Sequence, residues 1–202
     1  MTKKNVKLSE KKESDILTNL QPVLDKGHVS CISSTNTGKE LERIQSTYFG
    51  TDFKIQLLRI ANATFIVKMP IFVHLNISRF NLEIIPITDA NQDAYLPNIS
   101  EIECDDLDKA REISEYMATT TEALILNSKG MTMDGCNKAI SQTQMPVSMY
   151  TTALVHGSLH NWLLYIKQKD LPKPVEAYRF AIEQLLKADW KTINSLKKII
   201  TI

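Results

Sequence analysis

Two histidines four residues apart, His156 and His160, are the first positions in this 202-residue chain whose type and spacing suggest chemistry. At that spacing two imidazoles can share a helix face and ligate zinc. Gly157, however, marks a strand-to-helix turn that puts His156 ahead of the helix, and no third ligand is near, so no metal is expected. His160 alone can act as a general base, although a single histidine on a helix is more often a polar surface or core residue. Trp162 and Tyr165 can stack on a planar cofactor. Their near-helical spacing with Leu159, Leu163 and Ile166 fits a packing stripe better. Lys167 and Lys169 suit phosphate, but a solvated basic face explains them as well. The acidic run Glu101, Glu103, Asp105, Asp106 and Asp108 can bind a hard cation; the start of a helix enriches the same residues, and capping ranks first. Gly38-Lys39 invites a phosphate-loop reading that fails, because the earlier glycine is missing and Glu40 replaces the hydroxyl residue. Cys31, Cys104 and Cys136 form no CxxC pair and read as reduced and structural.

The elements that must position these residues follow from periodicity. Residues 1–14 carry five lysines and no apolar face, which predicts a mobile basic tail ahead of a single domain over 15–202. Strands are expected at His28–Ile32, Phe53–Leu58, Ala63–Lys68, Leu82–Ile87 and Pro146–Leu154, with Pro86 placing the fourth at an edge or bulge. Pro70 fits the first position of a helix. The strongest helical stripe runs from Asp105 through Leu107, Ala110, Ile113, Met117 and Leu124 to a stop near Gly130, and Asp134 can cap a shorter helix reaching Gln142. Further helices are expected over 158–169 and 173–187. A shorter one can follow Asp189.

Bulk composition excludes more than it assigns. Lys plus Arg number 24 against 23 for Asp plus Glu, so nothing steers the chain toward nucleic acid. Its longest apolar runs fall far short of the roughly 20 residues a membrane helix needs, and no apolar core follows the Lys-rich start. A cytoplasmic protein is expected, α/β in class, with 43% hydrophobic residues to build its core.

Two blocks carry a family resemblance. Ala63-Thr-Phe-Ile-Val-Lys-Met-Pro-Ile-Phe-Val73 is similar to the strand and helix start FTF-x-x-K-x-P-I-F-V of the flavin-dependent thymidylate synthases. Met145-Pro-Val-Ser-Met-Tyr-Thr151 with His156-Gly-Ser-Leu-His-Asn-Trp-Leu-Leu-Tyr165 resembles that family's LPLNxYT and TGNLRSLLNF. Their order and separation match too, so the resemblance covers residues 51–186. It implies the thymidylate synthase-complementing protein fold, a mixed sheet flanked by helices, assembled as a homotetramer with sites built across subunits. It also implies methylation of dUMP, a pyrimidine deoxynucleotide, with FAD, NADPH and methylenetetrahydrofolate.

By family position the flavin contacts fall on Arg79, Asn81 and Ser158, and the nucleotide contacts on Asn76, Arg79, Asp89, Gln142 and His160. Of the family's Arg-His-Arg…Ser signature only Arg79 is retained, since Phe80, Asn81 and Asp89 fill the other places. Asn76 replaces a glutamine, Ser158 an asparagine, and Gln142 and His160 two arginines. An expected histidine falls at Ile60, beside Arg59. Losing these cations removes charge-assisted bonds to anionic ligands, and an aspartate near a phosphate adds repulsion. Two readings follow: a divergent flavin-dependent enzyme of deoxynucleotide metabolism, whose catalytic residues are not identified, and an inactive homologue serving as a structural, regulatory or oligomer partner.

Overall fold

A computed structural model describes residues 20–34, 56, 58–87, 93–102 and 104–189. Five strands form one sheet: β1 (Gln21–Val23), β2 (Gly27–Ser34), β3 (Asn62–Pro70), β4 (Glu83–Pro86) and β5 (Tyr150–Ser158), in the order β1-β2-β3-β5-β4. Every described neighbour pair is antiparallel, where the resemblance implies a mixed sheet. The difference arises because strands of the two directions alternate across the sheet, β5 separating the parallel β3 and β4.

β3 is central because its sequence suits a sheet with one fully covered face. Ala63, Phe65, Val67 and Met69 are buried, while the alternating Thr64, Ile66 and Lys68 are partly exposed, the period-two pattern of a strand. The buried rows of β2, β3 and β5 meet α1 (Ile71–Ile77), α4 (Leu159–Lys167) and α5 (Lys173–Asp189) in one core that includes Val73, Ile77, Trp162, Leu163, Tyr178 and Ile182. The chain is thus a mixed α/β fold with an antiparallel sheet flanked by helices. The core's largest member is Trp162, whose ring meets Phe65 edge-on at 4.9 Å and whose Nε1–H donates to the Ala63 carbonyl at 3.2 Å.

Several local expectations need correction. Gln56, Leu58, Arg59 and Ile60 are helical, where a strand is expected over 53–58; buried Leu58 beside exposed Ile60 shows that an apolar run is ambiguous in period. The helix α2 (Leu107–Met133) passes through Gly130, whose missing side chain meets nothing nearby. Asp134 then serves as its C-cap, while Asn137 caps α3 (Lys138–Gln142) by accepting from the Ala139 N–H at 2.9 Å. β5 starts at Tyr150, after a turn in which the Met149 N–H reaches the Pro146 carbonyl at 3.0 Å. Pro86 does end the edge strand β4, as its missing N–H requires. The acidic run caps: Asp106 accepts from the N–H groups of Asp108 and Lys109, and Glu101 closes a capping box with Asn98. Among the described residues no helix is long and apolar enough to cross a membrane. The expected tail over 1–14, the phosphate-loop run and any helix after Asp189 lie outside the described residues.

Candidate functional site

Pro70 occupies the N-cap of α1, one place earlier than expected, in an extended conformation that ends β3. The orphan N–H groups of the first turn are used at once: Ile71 donates to the Met149 carbonyl and Phe72 to the Val147 carbonyl, both at 3.0 Å. This pins α1 to the segment leading into β5. Val73 and Ile77 turn into the core, which leaves Arg79 exposed in the short 3₁₀ turn Ser78–Phe80. Phe80 packs against Tyr165 at 5.5 Å between ring centroids. Asn81 then reverses the chain in the left-handed region at φ 52°, which asparagine tolerates better than most residues.

The same end of the sheet carries the start of α4. Ser158 is its N-cap, and its hydroxyl accepts the Asn161 N–H at 3.3 Å. The Asn161 side-chain amide donates to the Asn81 carbonyl at 2.9 Å, and its oxygen lies 3.3 Å from His160 Nδ1. Asn161 therefore ties three expected site positions, Asn81, Ser158 and His160, into one polar group beside Arg79. Arg79 has no hydrogen bond or ion pair among the described residues. Asn76, one turn earlier on α1, holds a buried side-chain oxygen with no partner among them.

Other expected positions fall elsewhere. Gln142 ends α3, which packs against α2, and no hydrogen bond joins it to the Arg79 group among the described residues. Asp89 lies outside the described residues. His156 is on β5, not on the helix; its Nδ1 is 2.8 Å from the Thr64 hydroxyl, so the two histidines do not converge. Gly157, read from sequence as the turn, is a strand residue whose Cβ would overlap the Leu82 side chain, and its absence lets the chain after Asn81 approach β5. Trp162 and Tyr165 are fully buried and pack, as their spacing suggests. Burial pushes the Tyr165 hydroxyl well above its ordinary pKa, with Arg179 opposing. Among the described residues no three His, Cys, Asp or Glu side chains gather as metal ligands do.

Sequence reasoning missed Asn161 and a second polar group at the opposite end of β3 and β5. Asn161 had a signal: it stands three places after a serine at a helix start, where the cap's partner N–H is found. In the second group, Lys68 of β3 and Lys26 of the β1–β2 turn each reach one oxygen of Asp93 at 3.4 Å. The Lys68 ammonium lies 5.5 Å above the ring of Tyr150, whose hydroxyl donates to Asp25 at 2.6 Å. Tyr178 donates to the Lys68 carbonyl at 2.8 Å. Burial pushes the Asp93 carboxyl up, but the two lysines outweigh it and hold it below the ordinary carboxylate value. Burial, then Lys68, lowers His28.

No protein-family model matches the chain, and no curated protein matches it in sequence. Many solved structures do match its fold, among them two of one protein. A UMP/dUMP methylase PolB from Streptomyces cacaoi bound with 5-Br UMP gives a TM-score of 0.70 at 11% identity, over 90% of this chain and 97% of that one. The same methylase bound with 5-Br dUMP gives 0.68 at 12% identity, over 86% and 95%. Over 86–90% of its length, this chain is similar in fold to that UMP/dUMP methylase.

Proposed function

We propose that the chain is a divergent relative of the flavin-dependent thymidylate synthases that binds a pyrimidine nucleoside monophosphate, with Arg79 as the phosphate contact. The observation that carries this reading is the exposed guanidinium, unpaired among the described residues, in the same turn as Asn81 and beside the Asn161-centred polar group. A guanidinium presents a planar fork of donors suited to a phosphate. The shared fold with a methylase crystallised with 5-Br UMP and 5-Br dUMP supports the choice of ligand.

FAD fits one chain less well. Its two phosphates call for more than one cation, yet Phe80 is packed on Tyr165 and the Asn81 carbonyl is already bonded to Asn161. FAD, with NADPH and methylenetetrahydrofolate, enters this reading through a homo-oligomer, by resemblance a tetramer, in which other subunits complete the site.

Titration of the purified protein with dUMP and with FAD, following binding heat and flavin absorbance, tests the reading. Saturable dUMP binding that weakens at least about tenfold in Arg79→Ala is expected, the loss of roughly one charge-assisted contact. Failure of dUMP to bind, or binding indifferent to Arg79, would overturn it. An inactive scaffold is the second reading, favoured because Asn81, Ser158 and His160 are each already bonded to Asn161. Turnover of dUMP with methylenetetrahydrofolate and a reduced flavin would exclude that alternative.

A further inference from the structure

Lys26 and Lys68 come from different elements and converge on the two oxygens of a single carboxylate, Asp93. Their settings are unequal. The Lys68 side chain is only 18% exposed, whereas Lys26 and Asp93 are 45% and 43% exposed. A charge on a mostly buried side chain needs a counter-charge, and here a solvent-accessible aspartate supplies it at 3.4 Å, longer than a good charge-assisted bond. Asp25 does not compete: it is bonded to the Tyr150 hydroxyl and makes no ion pair with either lysine among the described residues.

Tyr150 holds the fork in shape. Its ring lies under the Lys68 ammonium and its hydroxyl is fixed on Asp25, next to Lys26. Tyr178 pins the Lys68 backbone. Lys68 is thus preorganised by groups other than Asp93, and Asp93 is joined to the same framework through its carbonyl, accepting from the Tyr150 N–H at 2.9 Å. Its side chain can leave while its backbone stays in place.

We propose that Lys26 and Lys68 form an anion site for a phosphate monoester and that the Asp93 carboxylate is its built-in competitor. A phosphate monoester carries about −1.5 to −2 near neutral pH and matches two ammonium groups better than a single carboxylate does. The tethered carboxylate competes at an effective concentration in about the millimolar range, so only a phosphate group delivered on a larger, otherwise anchored molecule displaces it at lower concentration. The site is distinct from the Arg79 end. Lys68 pairs with Thr152 and Asn62 with Ser158, so the two ends are separated by six residues of strand, about 20 Å.

Inorganic phosphate titrated into the full chain, followed by calorimetry, tests the proposal. Asp93→Asn is expected to bind phosphate at least about tenfold more tightly than the natural chain, an advantage that disappears in Asp93→Asn/Lys68→Met and persists in Asp93→Asn/Arg79→Ala. Equal affinity with and without Asp93, or a gain that survives loss of Lys68, overturns the proposal. A gain lost with Arg79 also overturns it, by assigning the phosphate to the other site. Should the variants fail to fold, the natural chain still decides: phosphate must move the carboxyl carbon resonance of Asp93 toward that of an unpaired aspartate, and no movement up to saturating phosphate refutes displacement.

Discussion

Replacing Trp162 with alanine is expected to destabilise the fold by about 3–5 kcal/mol. The indole is fully buried, meets Phe65 edge-on and Tyr165 at 6.3 Å, and bonds to the Ala63 carbonyl. Alanine opens a cavity between α4 and β3 and removes the Nε1–H donor to the Ala63 carbonyl; both effects add to the lost apolar burial. Because a domain of this kind is stable by only about 5–15 kcal/mol, the variant should lose a large share of its margin. Urea unfolding monitored by circular dichroism checks this through a lower midpoint at unchanged slope. Trp162→Phe, which keeps an aromatic ring while dropping the donor and part of the ring volume, should lose clearly less. A loss under about 1 kcal/mol for alanine would show that α4 does not anchor the sheet in this way.

Gly27→Ala should cost about 3 kcal/mol or more, from one added methyl. Its Cβ would overlap the Tyr178 hydroxyl and sit 2.7 Å from the Val23 carbonyl oxygen and 2.9 Å from that of Lys68. Two of these obstacles are backbone atoms in paired strands, which cannot yield cheaply. The third is the hydroxyl that bonds to the Lys68 carbonyl, so relief by moving Tyr178 breaks that bond. Tyr178→Phe supplies the control: in that background the alanine should do less harm, because one clash is gone, and the non-additivity of the pair measures the contact. Strict additivity in a double-mutant cycle would count against the close approach.

What was legible in the sequence was local. The alternation of β3, capping by the acidic run, Pro70 at a helix entrance and Pro86 at an edge each depend on neighbours in the chain, and the structure bears them out within a residue or so. Where a local signal failed, a distant contact explains it. Gly157 reads as a turn, yet it is a strand residue made small by Leu82 across the sheet. Gly130 reads as a stop, yet α2 continues, at a helix-propensity cost of about 1 kcal/mol relative to alanine. The order of the strands has no local signature at all. Neither does the grouping of Asn81 with Ser158 and His160, because Asn161 reaches Asn81 across 80 residues. The Lys26–Lys68–Asp93 group was hidden for the same reason: each residue alone is an ordinary surface charge.

The pairing of β3 with β5 sets a timetable for the molecule's birth. Thr64 and His156 are 92 residues apart, yet they face each other in the middle of the sheet. As the chain leaves the ribosome, β3 can pair with β2 early, but its other edge stays bare until Tyr150–Ser158 has been made. Closing so long a loop is slow compared with forming α2, whose contacts are local. During that interval Phe65 and Val67 have no Trp162 or Val155 to cover them. Synthesis that pauses between Pro70 and Tyr150 should therefore yield a chain with a sticky edge, its partly exposed face carrying the polar Thr64 and Lys68 on either side of Ile66.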